Sequence, residues 1–220
     1  QPLGHFIEGL TIWCTASEPW DIHSQKTGNM VLMRQFRVFV RLGLVFILSI
    51  QAQTVGAEGR HILLEAITEI DADVVFMRHA LAPGFGDPDN FSLTECNTQR
   101  NLDQVGRSQA IEIGRKIKES GLSFSEVLSS EWCRCKETAQ LLDIGQWETF
   151  SGLNSFFQNY ADRGETLQKL NIKLSDLKTG VTFMVTHQVV IRAVTGVSVG
   201  SGELVAYNSS TELSKTFRLD

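Results

Sequence analysis

The stretch Asp73-Val-Val-Phe-Met-Arg-His-Ala80 decides the fold of this chain. Its continuous apolar run up to Arg78 is typical of a strand that is buried on both faces of a sheet. A second such run, Val181-Thr-Phe-Met-Val-Thr186, leads directly into His187, and a shorter strand is predicted around Val127-Leu128. Helical patterns separate these runs. The sequence therefore predicts an α/β fold with a mostly parallel central sheet and helices on both of its faces.

Helix signals fill the spaces between the predicted strands. Apolar residues recur at helical spacing after Asp103, which can cap a helix, and before Gly121, which can end it. Ser130 is expected to cap the next helix, and 145–165 is predicted to be rich in loops. The further predicted elements are helices over 131–142, 166–177 and 189–194 and a hairpin that pairs 204–207 with 215–219. No repeat or linker divides 71–220, so we expect a single domain there.

Composition excludes some classes of partner. The 220 residues are 42% hydrophobic and 20% charged, which is the balance of a globular protein rather than a disordered one. The formal net charge is -5, and the second half of the chain has no sustained run of Lys or Arg. No nucleic-acid partner is therefore expected, and an anionic substrate must be held by a few local cations.

Residues 30–57 have the three parts of a secretory signal peptide. Three arginines precede an apolar run from Leu42 to Ile50, and small residues follow near Ala57. The apolar run is too short for a stable membrane anchor, which needs about 20 apolar residues. The sequence thus predicts an exported protein, periplasmic or secreted. If translation starts at Met30 or Met33, residues 1–29 are an upstream extension, to which we assign no function.

Reactive side chains follow the predicted strands. Arg78 and His79 end the first strand, His187 follows the last, and Arg134 lies just beyond the middle one. Ligands of open α/β sheets bind beyond the carboxyl ends of the strands, so these side chains are expected at one edge. Arginine binds two phosphate oxygens with its planar fork, and neutral imidazole can accept a phosphoryl group. The other ring nitrogen of His79 then needs an acceptor, for which we expect a loop carbonyl after it.

Four stretches resemble the histidine phosphatase superfamily, the group that includes phosphoglycerate mutases. "FMRHA" at 76–80 is similar to its Arg-His-Gly signature, with Ala80 in place of the glycine. "SSEWCRCKETA" at 129–139 resembles the second signature, and "VTHQ" at 185–188 the third. "TQRNLDQVGRSQAIEIG" at 98–114 resembles the first long helix and its lead-in. The likeness covers roughly 73–195 in family order and is closest to the compact, exported bacterial phosphatases of branch one.

The resemblance implies a phosphatase with a phosphoglycerate mutase-like fold. His79 would be phosphorylated, Arg78, Arg134 and His187 would bind the phosphoryl oxygens, and water would hydrolyse the phosphohistidine. The partner is then a small phosphorylated substrate or inorganic phosphate, and neither a metal nor a cofactor is implied. Two alternatives stay open, a phosphatase-like binding module that has lost catalysis and a phosphomutase.

The proton donor of the family has no clean match in this chain. Relatives place a Glu after the second arginine motif, where this chain has "GLNSFFQNYADRGE" at 152–165. Asp162 is our candidate because it lies in a loop with no evident structural role. A solvated loop aspartate is the competing interpretation, and Glu131 or water would be the next candidates.

The resemblance also suggests a disulfide. It brings the loops that contain Cys96 and Cys133 near the site, and export would permit their oxidation. A bond between Cys133 and Cys135 is disfavoured because a one-residue gap forces strained geometry. Trp132 and the Phe156-Phe157 pair are expected either to line the substrate pocket or to pack in the core.

Overall fold

The computed structural model describes residues 61–219. The predicted signal peptide at 30–57 and the extension at 1–29 lie outside this range. Within it, no helix combines the length and the apolar character needed to cross a membrane.

The described chain is built on one six-stranded sheet in the order β3-β2-β4-β1-β5-β6. Strands β3, β2, β4 and β1 are parallel neighbours. Strands β5 and β6 form an antiparallel hairpin that continues the sheet beyond β1, and β5 pairs antiparallel with β1. The mostly parallel sheet predicted from the sequence is confirmed. The strands are β1 (Val74–Arg78), β2 (Glu126–Ser129), β3 (Glu148–Thr149), β4 (Thr182–Thr186), β5 (Leu204–Tyr207) and β6 (Ser214–Phe217).

Five helices accompany the sheet in the described range. Helix α1 covers 61–69 there, and the others are α2 (Gln104–Ser120), α3 (Cys133–Leu142), α4 (Arg163–Ser175) and α5 (Gln188–Thr195). The predicted ends of α2 are confirmed. The Asp103 carboxylate accepts a hydrogen bond from the Gly106 N–H at 2.7 Å, and Gly121 ends the helix at φ 74°, in the left-handed region that favours glycine.

Two predicted helix starts are wrong. Helix α3 begins at Cys133, and its N-cap residue Trp132 makes no side-chain cap. Ser130 cannot cap it because its hydroxyl is engaged with Asn154 and His187 instead. Helix α4 begins three residues before the predicted Thr166, because Asp162 caps it.

Both faces of the sheet are covered. Alternate residues of each central strand point to opposite faces, as the period of a strand requires. Val75 and Met77 of β1 belong to the core under α2 and α3, whereas Val74 and Phe76 belong to the core under α4 and α5. Helices α2 and α3 approach closely at Gly114, where a Cβ would lie 2.1 Å from a backbone oxygen of α3. This packing fixes α3, which carries Arg134, against the sheet.

Candidate active site

Two histidines meet where the neighbouring strands β1 and β4 end. Arg78 and Thr186 are partners in the parallel register, and the His79 N–H donates to the Thr186 carbonyl at 3.0 Å. His79 and His187 follow those residues directly, so their ring centroids lie only 5.4 Å apart. The parallel pairing of two buried strands therefore creates the histidine pair.

Arg134 joins the pair from the first turn of α3. Its Nε lies 3.2 Å from Nε2 of His79, and its Nη2 lies 3.4 Å from Nδ1 of His187. Helix α3 also supports the loop after His79, because the Ala80 N–H donates to the Thr138 hydroxyl at 3.1 Å.

These side chains surround a cavity of about 200 Å³. The four predicted phosphate-site residues Arg78, His79, Arg134 and His187 all line it. The other lining residues are Gly84, Phe85, Gly86, Asp87, Arg100, Ser155, Phe157, Gln188 and Val189. No group of three or more His, Cys, Asp or Glu side chains within residues 61–219 is arranged to hold a metal ion.

The surroundings of His79 fix the tautomer and the charge of its ring. Its Nδ1 lies 2.7 Å from the Ala80 carbonyl oxygen, which can only accept, so this nitrogen carries the proton. The predicted loop carbonyl after His79 is confirmed. Burial, with Arg134 as the next cause, holds the pKa of His79 well below its ordinary value of 6.5. At neutral pH the ring is therefore uncharged, and Nε2 keeps its lone pair.

His187 is neutral for similar reasons. Burial and then the charge of Arg134 lower its pKa well below 6.5. Its Nε2 lies 3.0 Å from the Ser130 hydroxyl and 3.4 Å from the Cys135 sulfur, whereas Arg134 approaches Nδ1. Nδ1 is thus the ring nitrogen on the Arg134 side. Burial raises the pKa of Cys135 to about 12, so this free cysteine stays a thiol.

One N–H donor of Arg78 has no acceptor among the described residues. Its Nη1 donates to the Val199 carbonyl at 2.9 Å, which fixes the guanidinium at the edge of the cavity. Its Nε is buried and has no hydrogen-bond partner within the described residues. Because a buried donor without a partner is costly, an oxyanion in the cavity would satisfy it.

Sequence reasoning missed Asp87, which holds Arg134 in place. The two side chains form a forked ion pair at 2.8 and 3.2 Å, with only 3% of the Arg134 side chain and 4% of the Asp87 side chain exposed. Asp87 also accepts from the Trp132 indole at 3.1 Å. Burial alone would raise the pKa of Asp87, but the hydrogen bond and charge of Arg134 bring it below 3.8. Asp87 is therefore a carboxylate at neutral pH and not a general acid.

Arg100 is a second missed residue. Its Nε donates to the Gly86 carbonyl at 2.9 Å, and its Nη1 donates to the Ala82 carbonyl. Burial, followed by the charge of Arg134, lowers its pKa to about 10, so it remains a cation at neutral pH. The signal was present in the sequence, because Arg100 lies four residues after Cys96, which the resemblance had placed near Cys133.

A disulfide joins Cys96 and Cys133, the pairing that the resemblance suggested. It links the loop before α2 to the first residue of α3, next to Arg134. The Cys133 N–H also donates to the Gln99 side chain at 2.9 Å. The loop that carries Arg100 is thus held to the helix that carries Arg134 both covalently and by hydrogen bonding.

The structure does not bring Asp162 to this cavity. Its side chain is exposed and accepts from the Glu165 N–H at 2.7 Å as the cap of α4. The expectation that Asp162 has no structural role is wrong. Glu131 does not line the cavity either, and its carboxylate accepts from the Asn154 amide. Trp132 is core, stacked on Phe91, whereas Phe157 lines the cavity.

The neutral histidines predict how stability depends on pH. The unfolded chain binds protons on both histidines near pH 6.5, whereas the folded chain binds them only well below that value. As pH falls below 6.5, the unfolded state therefore binds more protons, and the free energy of unfolding decreases. The slope should approach about 1.4 kcal/mol per pH unit for each histidine.

Urea unfolding at a series of pH values between about 7.5 and 5.5 measures this slope. A His187→Gln variant, which cannot titrate there, should lose about half of it. Stability that does not change across this range in the unsubstituted protein would contradict the neutral pair.

The similarity of this chain to known proteins is confined to solved structures. No family model and no curated protein matches it. Among solved structures, a protein assigned as the phosphohistidine phosphatase SixA of Agrobacterium tumefaciens is 18% identical, with a TM-score of 0.45, covering 62% of this chain and 91% of that one. A protein assigned as the alpha-ribazole-5'-P phosphatase of Escherichia coli is 16% identical, with a TM-score of 0.47, covering 67% and 95%.

Proposed function

We propose that this chain is a histidine phosphatase that hydrolyses small phosphate monoesters through a phosphohistidine on His79. The proposal rests on the protonation state and the contacts of His79. Its ring is neutral, its Nδ1 proton is directed to the Ala80 carbonyl, and its Nε2 lies 3.2 Å from the Arg134 guanidinium. A nucleophilic nitrogen is thereby paired with a cation that can bind the group it attacks.

The charge of the cavity suits a phosphate ester. The described lining residues include three arginines and one carboxylate, and both histidines are neutral, so the lining has a net charge of +2. A phosphate monoester carries a charge of about −1.5 to −2 at neutral pH, which this excess balances. The unpartnered Nε of Arg78 supplies a further donor to a phosphoryl oxygen.

The reaction has two displacements at phosphorus. In the first, the lone pair of His79 Nε2 forms a bond to phosphorus while the bond to the ester oxygen breaks; the electron pair of that bond leaves with the oxygen, which takes up a proton from solvent water. In the second, water adds its oxygen to phosphorus and gives up one proton to solvent, the P–N bond breaks, and its electron pair returns to Nε2. The arginines stabilise the negative charge on the transferred group in both steps.

Trapping the intermediate tests this proposal. The intact protein is mixed with a 32P-labelled aryl phosphate, whose good leaving group needs little protonation, and quenched in alkaline detergent. We expect labelled protein whose phosphate is lost in acid and retained in alkali, and a labelled peptide that contains His79. A binding module would hold phosphate without forming a covalent bond, so a failure to label under turnover conditions would contradict the proposal.

We also propose that the protein is exported. The disulfide between Cys96 and Cys133 supports this, because such bonds persist mainly in oxidising compartments. Expression from Met30 in a bacterial host, followed by fractionation and N-terminal sequencing, should give a periplasmic protein whose new N-terminus lies near Ala57. Uncleaved protein in the cytoplasmic fraction would contradict export.

A further inference from the structure

Two phenylalanines lie beside the phosphate-binding cationic groups. Phe85 and Phe157 both line the cavity, and their rings make an edge-to-face contact with centroids 5.2 Å apart. Phe85 is 85% exposed and Phe157 is 36% exposed, so the pair presents aromatic surface to solvent. We call these two side chains the aromatic pair.

The cavity is smaller than the pockets that enclose drug-sized ligands. Pockets that enclose a drug-sized ligand have volumes of about 300–1,000 Å³, whereas this one has about 200 Å³. The arginines and histidines fix the phosphoryl group inside it. Because Phe85 and Phe157 line the same cavity, the leaving group of a phosphate ester bound there would lie beside the aromatic pair.

The backbone next to both rings enters the left-handed region. Phe85 stands between Gly84 and Gly86, whose φ angles are 96° and 71°, and Phe157 precedes Gln158 and Asn159, whose φ angles are 55° and 63°. Left-handed backbone at non-glycine residues costs free energy and occurs often at ligand sites. A Cβ at Gly86 would lie 2.3 Å from the Gln158 side chain, so the two loops touch. Two separate segments are thus shaped to bring these rings together.

We propose that the aromatic pair binds the leaving group of the substrate and thereby selects aryl phosphates, in which one bridging oxygen joins the phosphorus to a planar aromatic ring. This inference rests on the proposed function, because it assumes that the phosphoryl group occupies the cavity. An aromatic ring in the leaving group can pack against the exposed faces and edges of Phe85 and Phe157. A short hydrophilic alkyl group would make no such contact.

Non-hydrolysable phosphonates separate ring binding from chemistry. Benzylphosphonate, in which a methylene replaces the bridging oxygen, and ethylphosphonate are titrated calorimetrically into the protein at a pH where both are dianions. The protein should bind benzylphosphonate more tightly than ethylphosphonate. Phe85→Ala and Phe157→Ala should each weaken benzylphosphonate binding by about 2- to 10-fold, the value of one aromatic contact, and leave ethylphosphonate binding unchanged.

Two further variants sharpen the test. Phe85→Leu keeps an apolar side chain but removes the ring, so it should still lose selectivity for the benzyl group. Ile172→Ala removes an exposed apolar side chain on α4 that does not line the cavity, and it should change neither affinity. Equal affinity for the two phosphonates in the unsubstituted protein, or equal losses for both in the phenylalanine variants, would overturn the role of the aromatic pair. If neither phosphonate nor inorganic phosphate bound at all, the proposed function itself would fail.

Discussion

Replacing His79 with alanine is expected to abolish the covalent phosphoenzyme and to lower turnover of an aryl phosphate by several orders of magnitude. The substitution removes Nε2, the protein atom that accepts the phosphoryl group in the proposed mechanism. Loss of the nucleophile has an effect of this size in serine hydrolases. Steady-state hydrolysis and acid-labile labelling, measured on the same preparation, report the two losses together.

Two controls separate chemistry from folding. His79 is only 2% exposed, so alanine could also leave a cavity that destabilises the protein. His79→Asn retains an amide N–H that can donate to the Ala80 carbonyl but offers no nucleophile, and it should be equally inactive. His61→Ala makes the same change at an exposed histidine of α1 and should retain activity. A labelled phosphoenzyme in His79→Asn would show that another residue is the nucleophile.

Replacing Arg134 with alanine should have the second largest effect, on activity and stability together. Arg134 is the cation nearest to Nε2 of His79, and loss of one such charged donor lowers the rate by about 10²–10³-fold. The same change leaves the buried carboxylate of Asp87 without its partner. Breaking a buried ion pair on one side costs about 3–5 kcal/mol of stability.

The double variant Arg134→Ala/Asp87→Asn distinguishes the two effects. It removes the unpaired charge, so the free energy of unfolding should partly recover, whereas kcat/KM should stay low because the cation is still missing. Arg115→Ala is a matched control, since Arg115 is half exposed and pairs with Glu112 and Glu119 on the surface of α2. It should change stability little, because solvent screens exposed ion pairs, and it should leave activity unchanged. Recovery of activity in the double variant would contradict a direct role for Arg134.

Local signals in the sequence explain why the strands and most of the site were predictable. Buried parallel strands are continuous apolar runs, so the positions of β1 and β4 follow from the residues themselves. The right-handed connections of such a sheet then bring their carboxyl ends to one edge. His79 and His187 directly follow those strands, and Arg134 lies in the first turn after β2. The order of the strands and the family resemblance were enough to predict that these three side chains lie together.

The role of Asp162 was also present in the sequence but was misjudged. Asp162 and Glu165 have the spacing of an N-cap residue and an acidic residue at the third helical position, which is a signature of a helix start. The segment before it is irregular, and this irregularity obscured the signal. A capping aspartate satisfies backbone N–H groups of α4, which explains its position in physical terms.

The loop from 81 to 103 shows where sequence reasoning ends. Two side chains that it contributes to the cavity, Phe85 and Asp87, have no period and no strand end to locate them. Their positions depend on contacts with residues distant in the chain, among them the pairing of Asp87 with Arg134 and the ring contact of Phe85 with Phe157. Such contacts form only after the sheet and α3 are in place.

The sequence by itself determined the strands of the sheet, the two histidines that follow them and the arginines beside the histidines. Apolar runs and helical periods can be recognised within a few neighbouring residues. Only the tertiary structure decided the protonation state of the histidines, the partner of Arg134 and the aromatic surface beside the cavity. Burial lowers the pKa values of His79 and His187, and burial is a property of the packed chain rather than of any segment. The position of His79 thus follows from the sequence, whereas its neutral state depends on the residues that surround it in the folded chain.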